Sequence, residues 1–471
     1  MSGFTLFDIF PLLIFDTWAM RWRLVKRKAS QGQTTRRRWL RPRRILMWVL
    51  LALVLTTASV PPETAFDLDL SPFIAGQRFD WAGWEARAVW EEVAWWLSGR
   101  PVYADQGPAS SPGGGKEQVL AFLDGQRQIA ELEERIRSEM AQLPQSGPSS
   151  SFEQSPILPP SVAPLETELA DLQRQQQADG VWVERAMAAQ VSQVLAAEGL
   201  GGARRGALAT RPTVWPPVTF RFNNMPTYLI LSPRDEIRVY RGIYLLPDVP
   251  EAERASLEAA IETRLGMSAL VADVGGVGSW PTMVIDRASL HSLFDIVAHE
   301  WTHTYLLLRP LGLRYGDNRD LTTMNETVAS LVGGEVADLV MARYYPELAP
   351  PPVTPSRPLP EANQSVREDF NQAMRRIRLH VDELLTQGRV AEAEAYMEAE
   401  RQKLVAAGYN LRRLNQAYFA FHGSYATSPA SVDPIGPWMR QLRAQSGSLK
   451  AFLDQVARMR SLDDLLRAMG Q

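Results

Sequence analysis

Apolar residues recur at steps of three and four along two long stretches of the chain, residues 116–143 and 165–199. That spacing places the apolar side chains on one face of a helix. In the first stretch the stripe is formed by Ile129, Leu132, Ile136, Met140 and Leu143. Each stretch follows a linker-like segment rich in Gly, Pro and Ser, at residues 106–115 and 144–164. The pattern therefore predicts two helices that pack as an antiparallel hairpin or as a short coiled coil.

Beyond residue 218 the pattern changes to short runs of β-branched and aromatic residues separated by Pro, Asn and Gly, which is typical of strands. The predicted strands are residues 219–222, 227–230, 237–244, 269–274 and 282–285. A helix is predicted at about residues 251–265, and an apolar helix should follow the last strand. This apolar helix should begin near Asp286 or Ser289, either of which could cap it, and end at about Leu308.

The C-terminal part of the chain has mostly helical patterns. A Pro-rich segment, residues 350–360, precedes two of them, at about residues 365–387 and 390–407. Helices therefore dominate the predicted structure, and the strands amount to a small sheet. We expect an α+β fold, mostly helical, with the small β-sheet just before the apolar helix.

Residues 80–98 predict a further helix, which is unusually rich in tryptophan. The indoles are Trp81, Trp84, Trp90, Trp95 and Trp96. One interpretation is a helix packed against the rest of the protein, and the other is a helix at a membrane surface, where indoles are favoured. The same stretch carries four acids, Asp80, Glu85, Glu91 and Glu92, which anionic lipids would repel. The acids favour packing over membrane contact.

The charge of the chain is unevenly distributed. The 471 residues have a net charge of only −3 and an ordinary 45% apolar content. Residues 21–44, however, hold eleven Lys and Arg residues and no acid, and they directly precede an uncharged apolar run, residues 45–60. Because the basic residues cluster before this run and not over a folded surface, they indicate a membrane and not a nucleic acid as partner. The chain has no cysteine, so it has neither disulfides nor thiol chemistry.

The apolar run of residues 45–60 is ended by Pro61 and Pro62. It is shorter than the roughly 20 residues of a spanning helix, and longer than the roughly 7–15 residues of a signal-peptide core. A transmembrane anchor and a cleaved signal segment both remain open, but the long stretch before the run favours the anchor. The positive-inside rule then predicts a single-pass protein of the cytoplasmic membrane, with its N-terminus inside and the large C-terminal part outside.

Within the apolar helix lies an HExxH pattern formed by His299, Glu300 and His303. Two histidines four residues apart lie on one helix face, so both rings can bind one zinc ion (Zn²⁺). Glu300 can then serve as general base toward a zinc-activated water. The chain has only five histidines, so this spacing around a glutamate is unlikely to arise by chance. The alternative interpretation is a pair of partly buried histidines on an amphipathic helix.

A catalytic zinc site usually has three protein ligands and one open position. Glu326, which follows His303 by 23 residues, is the predicted third ligand, because a loop and a second helix can return it to the first helix. The next positions on its helix face carry small side chains that would permit a close approach: Ala329, Ser330, Gly333 and Ala337. Two alternatives remain open. Glu326 could instead form a capping box with Thr323, and Glu335 is the rival ligand.

HExxH followed by Asn325-Glu326-x-x-Ala329 resembles the gluzincin clan of zinc metallopeptidases, which includes the thermolysin-like and M1-type aminopeptidase families. The resemblance covers about residues 270–345. It implies a zincin-like catalytic domain, in which His299, His303 and Glu326 bind zinc and Glu300 is base and proton shuttle. It also implies an edge strand, here residues 279–285, that pairs with an extended peptide substrate.

The chain departs from both named families. No GAMEN-type motif precedes the HExxH helix, and Ser330 stands where thermolysin-like enzymes have an aspartate. Gluzincins also supply a downstream Tyr or His that stabilises the oxyanion. The candidates here are His422, Tyr425 and Tyr418, in that order, and the alternative is a helix end with aromatic core residues.

The sequence therefore predicts a membrane-anchored zinc peptidase that acts on a peptide or protein substrate outside the cytoplasm and binds no nucleic acid. Its alternative is a non-catalytic anchored scaffold or an inactive peptidase relative, and the oligomeric state is open. The predicted parts are a cytoplasmic basic segment (1–44), the anchor or signal segment (45–62), a helical region with linkers (63–215), a zincin-like core (216–348) and a helical C-terminal domain (349–471).

Overall fold

The computed structural model describes residues 65–98, 115–141, 162–202, 213–348, 361–423 and 431–470. The predicted basic segment and the predicted anchor, residues 1–44 and 45–60, lie outside these ranges. Within the described ranges, every helix is too short or too polar to serve as a bilayer span. The anchor therefore stays a prediction from the sequence.

Helices dominate the described residues, as the sequence predicts. In chain order they are α1 (Ala65–Ile74), α2 (Trp81–Leu97), α3 (Lys116–Ala141), α4 (Ala163–Leu195), α5 (Glu251–Leu265), α6 (Leu290–Leu306), α7 (Pro310–Leu313), α8 (Arg319–Tyr344), α9 (Glu361–Thr386), α10 (Val390–Ala406), α11 (Gln416–His422), α12 (Ile435–Gln445), α13 (Leu449–Val456) and α14 (Leu462–Ala468). A π-helical turn, Ala196–Leu200, continues α4, and a 3₁₀ turn, Pro346–Leu348, follows α8.

The strands form small separate sheets. They are β1 (Gly201–Gly202), β2 (Thr213–Val214), β3 (Phe220–Asn223), β4 (Thr227–Ser232), β5 (Arg241–Leu245), β6 (Ser268–Asp273), β7 (Gly276–Val277) and β8 (Thr282–Ile285). Strands β5, β4 and β6 form an antiparallel sheet in that order, and β1 pairs with β2. In the third sheet β8 lies between β3, which is parallel to it, and β7, which is antiparallel. The described part is thus α+β and mostly helical.

Helices α3 and α4 form the antiparallel hairpin. Gly115 at the start of α3 lies next to Ala186 near the end of α4. Gly125, further along α3, lies next to Gln176, which comes earlier in α4. Later positions in α3 therefore contact earlier positions in α4, which shows that the two helices are antiparallel. Apolar side chains of both helices, such as Val119 and Met187, are fully buried between them and the core.

The largest core cluster surrounds α6 and α8, which carry the predicted site. Phe294 and Val297 of α6 and Val328 and Val332 of α8 are buried in it. Helix α4 covers this pair from one side and helices α12 to α14 from another, because each presents apolar residues to the same cluster. The site is therefore built on two helices that the core holds rigidly.

Two strand predictions differ from the structure. Only the second half of the predicted strand 237–244 pairs with another strand, as β5. The first half lies in a loop that Ser232 stabilises. The Ser232 hydroxyl donates to the Glu236 carbonyl and accepts from the Arg238 N–H. The predicted edge strand, residues 279–285, is also wrong. Strand β8 is paired on both sides, and β3 and β7 are the edge strands of that sheet.

Helix α2 is packed against the domain through a buried cluster of charges. Arg185 of α4 donates to Glu92 of α2, with 2.7 Å between Nη1 and Oε1, and Arg221 of β3 donates to the other Glu92 oxygen at 2.9 Å. Arg221 also contacts Glu184, whose other oxygen accepts from the Phe222 N–H. Burial raises the pKa of Glu184 to about 7, although both arginines act to lower it. The cluster thus ties α2, α4 and β3 together.

We expect Glu92→Ala to lower the free energy of unfolding by about 3–5 kcal/mol, because it leaves two buried guanidinium groups without this partner. Denaturant unfolding of the purified protein would measure the change. Glu91→Ala is the matched control, since Glu91 is its exposed neighbour and should cost less than about 0.5 kcal/mol. Equal losses for the two variants would contradict a stabilising role for the cluster.

Candidate metal centre

His299 and His303 lie on the same face of α6, as their spacing predicts. Ser289 caps this helix by accepting a hydrogen bond from the Ser292 N–H, so a local contact sets where the helix begins. The two Nε2 atoms are 3.1 Å apart, and the ring planes are inclined by 74°. Both rings therefore point their Nε2 atoms at one location.

Glu326 of α8 completes a group of three ligand atoms. Its Oε2 lies 3.5 Å from Nε2 of His299 and 3.6 Å from Nε2 of His303. A tetrahedral ion with ligands at about 2.0–2.1 Å separates those ligands by about 3.3–3.4 Å. The three side chains thus fit one metal ion with shifts of only a few tenths of an ångström. They are also the one such group among the residues that the structure describes.

The two oxygens of Glu326 have different surroundings. Oε1 accepts a hydrogen bond from the Tyr315 hydroxyl at 2.6 Å, whereas Oε2 is buried and has no hydrogen-bond partner among the described residues. A buried carboxylate oxygen without a partner is costly unless a cation meets it. Burial alone would raise the pKa of Glu326, but the neighbouring histidines hold that pKa well below its usual range. The ionised oxygen is therefore positioned as a single-atom metal ligand.

Asn325, beside the ligand, orients one of the histidines. Its side-chain oxygen lies 2.7 Å from Nδ1 of His303, and Asn325 itself is buried. Because an amide oxygen only accepts, Nδ1 carries a proton, which leaves Nε2 as the nitrogen that would bind a metal. Burial acts to lower the pKa of His303, but Glu326 and Glu300 raise it to about 9. The surroundings therefore favour positive charge where an ion would bind.

Glu300 is buried on the adjacent side of α6, against strand β7. A Cβ atom at Gly276 would lie 2.8 Å from Oε1 of Glu300, and one at Gly278 would lie 3.4 Å from Oε2. Burial raises the pKa of Glu300, although the two histidines act to lower it. A carboxylate with a raised pKa suits general-base chemistry near neutral pH. Nothing in the sequence indicates this role of Gly276, because the glycines of residues 275–278 are interpreted there only as a break between two strands.

Gly333 is what lets α8 approach α6. A Cβ atom there would lie 2.8 Å from the Asp295 carbonyl oxygen and 3.2 Å from Cβ of His299. The small residues Ala329 and Ala337 are fully buried in the same helix. The prediction of a close approach along this face is confirmed.

Three other interpretations of this region can be compared with the structure. The capping box is wrong, because α8 begins earlier, at Arg319, where Asn318 accepts from the Leu321 N–H. The rival ligand Glu335 instead pairs with Arg443 of α12, with 2.8 Å between Nε and Oε2. The Ser330 hydroxyl donates to the carbonyl of Glu326 within its own helix.

Two of the predicted oxyanion residues, His422 and Tyr418, pack with Phe421 in an aromatic group around α11. His422 ends α11, and its ring lies 4.3 Å from Tyr418 and 5.0 Å from Phe421. Burial lowers the pKa of His422 to about 4, so the ring is neutral at pH 7. No hydrogen bond or ion pair within the described ranges joins His422 or Tyr418 to the metal-ligand group. Tyr425 lies outside the described residues, and its role stays a prediction.

Two tyrosines that the sequence did not single out lie near the carboxylates. Tyr228 of β4 and Tyr244 of β5 are cross-strand partners with ring centroids 4.6 Å apart. Burial raises the pKa of both, and the charge of Glu326 raises each further. Both hydroxyls therefore remain neutral donors within electrostatic reach of the site. Their strand context gave no signal of this, since aromatic residues are common in strands.

Gly333→Ala is expected to destabilise the protein by about 1–3 kcal/mol and to weaken metal binding, because the added methyl group pushes α8 away from α6. Gly334→Ala is the matched control: a Cβ atom there meets nothing within 4 Å, and alanine favours a helix by up to about 1 kcal/mol. Denaturant unfolding and a competition titration with a chelator would measure both effects. If both variants bound metal like wild type, the close approach would not be required.

Comparisons with known proteins give no relative to set beside this geometry. No protein-family model, no curated protein and no solved structure matches the chain. The case for a functional site therefore depends on the side chains themselves.

Proposed function

We propose that this protein is a membrane-anchored zinc-dependent peptidase whose active domain hydrolyses peptide bonds outside the cytoplasm. The observation that carries the proposal is the convergence of His299, His303 and Glu326, with ligand atoms 3.1–3.6 Å apart, beside the buried carboxylate of Glu300. The resemblance to gluzincins, in motif order and residue types, supports it. The basic segment and apolar run of residues 21–60 support the anchor.

The donor set supports zinc as the metal. Two imidazole nitrogens and one carboxylate oxygen are a common catalytic zinc set that leaves a fourth position open. When bound, zinc would polarise the scissile carbonyl and lower the pKa of a water molecule. Iron(II) oxygenases use the same three donor types, so metal analysis must distinguish the two ions.

Residues of the chain would transfer the proton and hold the ligands in position. Glu300 would accept a proton from the attacking water and pass it to the leaving amine. Gly276 leaves room for that carboxylate, and Asn325 and Tyr315 hold His303 and Glu326 in their ligand orientations. Ligands fixed in this way need little rearrangement when the reaction begins.

A peptide is the substrate class that the neighbouring strand favours. Strand β7 is an edge strand of its sheet, and a Cβ atom at its Gly276 would lie 2.8 Å from Oε1 of Glu300. An extended peptide that paired with β7 would pass directly along the general base. The glycines at positions 276 and 278 keep side chains out of this path.

Purified full-length protein should contain one tightly bound zinc ion per chain, measured by elemental analysis after dialysis. Glu326→Gln should lose most of this zinc, because it replaces the ionised ligand by a neutral amide. Glu335→Gln is the matched control on the same helix and should keep zinc, since Glu335 contacts Arg443. Absence of zinc from wild-type protein would favour the non-catalytic scaffold, and iron in its place would favour redox chemistry.

Glu300→Gln should keep its zinc but lower the rate of peptide hydrolysis by about 10²- to 10⁴-fold, the range for removal of a general base. A peptide library assayed with and without a chelator would provide the substrate and the rates. Glu335→Gln should cleave like wild type. A Glu300→Gln variant that hydrolysed peptides at the wild-type rate would refute the mechanism, and a zinc-loaded wild type without activity would indicate an inactive relative.

A further inference from the structure

Helix α2 presents two clearly different faces. Its inner face carries Trp81, Ala88, Glu92 and Trp95, which recur at steps of seven, four and three. Trp81 stacks on Tyr244, with centroids 5.4 Å apart, and Ala88 is buried. Glu92 enters the buried charge cluster, and Trp95 packs edge-on against Trp182. Through this face α2 is held on the domain.

The opposite face of α2 forms what we call the outward stripe: Arg87, Trp90, Ala94 and Leu97. All four are exposed, and Trp90 and Leu97 show 59% and 68% of their surface. A surface helix normally carries polar residues on the face away from the core. Here three of the four outward residues are apolar, one of them an indole, and none is acidic.

The four acids of residues 80–98 do not oppose contact with lipid in the way the sequence suggested. Glu92 is only 7% exposed and pairs with two arginines. Asp80 accepts from the Gly83 N–H at the start of the helix, and burial raises the pKa of Glu85, which accepts from Trp81 and from the backbone of Trp280. Glu91, beside the stripe, and Asp80, before the first residue of the helix, are exposed, whereas Arg87 lies on the stripe.

The position of the stripe in the chain indicates what covers it. The predicted anchor ends at residue 60 and α1 begins at Ala65, so the connection spans at most about 18 Å. Helix α1 is about 15 Å long, and only residues 75–80 separate it from α2. The first helices of the domain are therefore tethered close to the bilayer. Indoles favour the membrane interface, and an arginine can extend to lipid phosphates while its stem stays in apolar surroundings.

We propose that the outward stripe lies on the headgroup region of the membrane in which the protein is anchored, with Trp90 and Leu97 inserted at the interface. This contact provides a second attachment beside the anchor and fixes which side of the active domain faces the bilayer. The proposal depends on the predicted anchor and not on the metal chemistry. Its failure would leave zinc content and peptide hydrolysis unchanged.

The absence of cysteine from the chain makes a direct test simple. A nitroxide label on Ala94→Cys reports from the middle of the stripe, and one on Ala391→Cys, an exposed alanine of α10, is the control. The full-length chain would be placed in nanodiscs of phosphatidylcholine and phosphatidylglycerol. Collision rates of the label with oxygen, which concentrates in lipid, and with a water-soluble nickel chelate would be measured by electron paramagnetic resonance.

We expect the oxygen-to-nickel collision ratio to be several-fold higher at position 94 than at position 391. When Trp90→Asp and Leu97→Asp are introduced into the chain labelled at position 94, its collision ratio should fall to that of the control at position 391. The reason is that two charges are costly at the interface. Equal ratios at both positions in the unmodified stripe would overturn the proposal. A label at position 94 that neither reagent reaches would also overturn it and would show that protein covers the stripe. A chain that does not enter the nanodisc would contradict both the anchor and this contact.

Discussion

The close contact between helices α6 and α8 is the constraint on which the candidate site depends. One helix brings two imidazoles to one location by its own periodicity, but a carboxylate must arrive from elsewhere in the chain. The distance at which α8 can lie is set by Gly333, whose missing side chain leaves room for the Asp295 carbonyl and for His299. With that contact in place, Oε2 of Glu326 comes within 3.6 Å of both imidazole nitrogens.

The site gathers negative charge that the rest of the domain does not neutralise. Glu300 and Glu326 are both buried beside the histidines, and one oxygen of Glu326 has no hydrogen-bond donor within the described residues. Tyr315 and Asn325 supply hydrogen bonds only on the sides that face away from the shared centre. Such a group is stabilised by a cation, which accounts for a buried carboxylate oxygen that has no hydrogen bond at this point.

Charge is treated differently in the buried cluster that holds α2. Glu92, Glu184, Arg185 and Arg221 are paired with one another and hold α2 in place. Both regions follow one rule: a buried carboxylate has either a protein cation beside it or a position prepared for an external one.

Local sequence determined the elements of this protein and the identity of its reactive residues. Helical periodicity located the α3–α4 hairpin and α5, and the spacing of His299, Glu300 and His303 alone indicated a metal helix, because four residues make about one turn. The motif after it pointed to Glu326. Only the tertiary structure decided that Glu335 turns to Arg443, that β7 is an edge strand and β8 is not, and that Gly276 lies against Glu300. The reason is that these contacts join residues far apart in the chain, and neither a local spacing nor a residue type carries information about which distant segment packs against it.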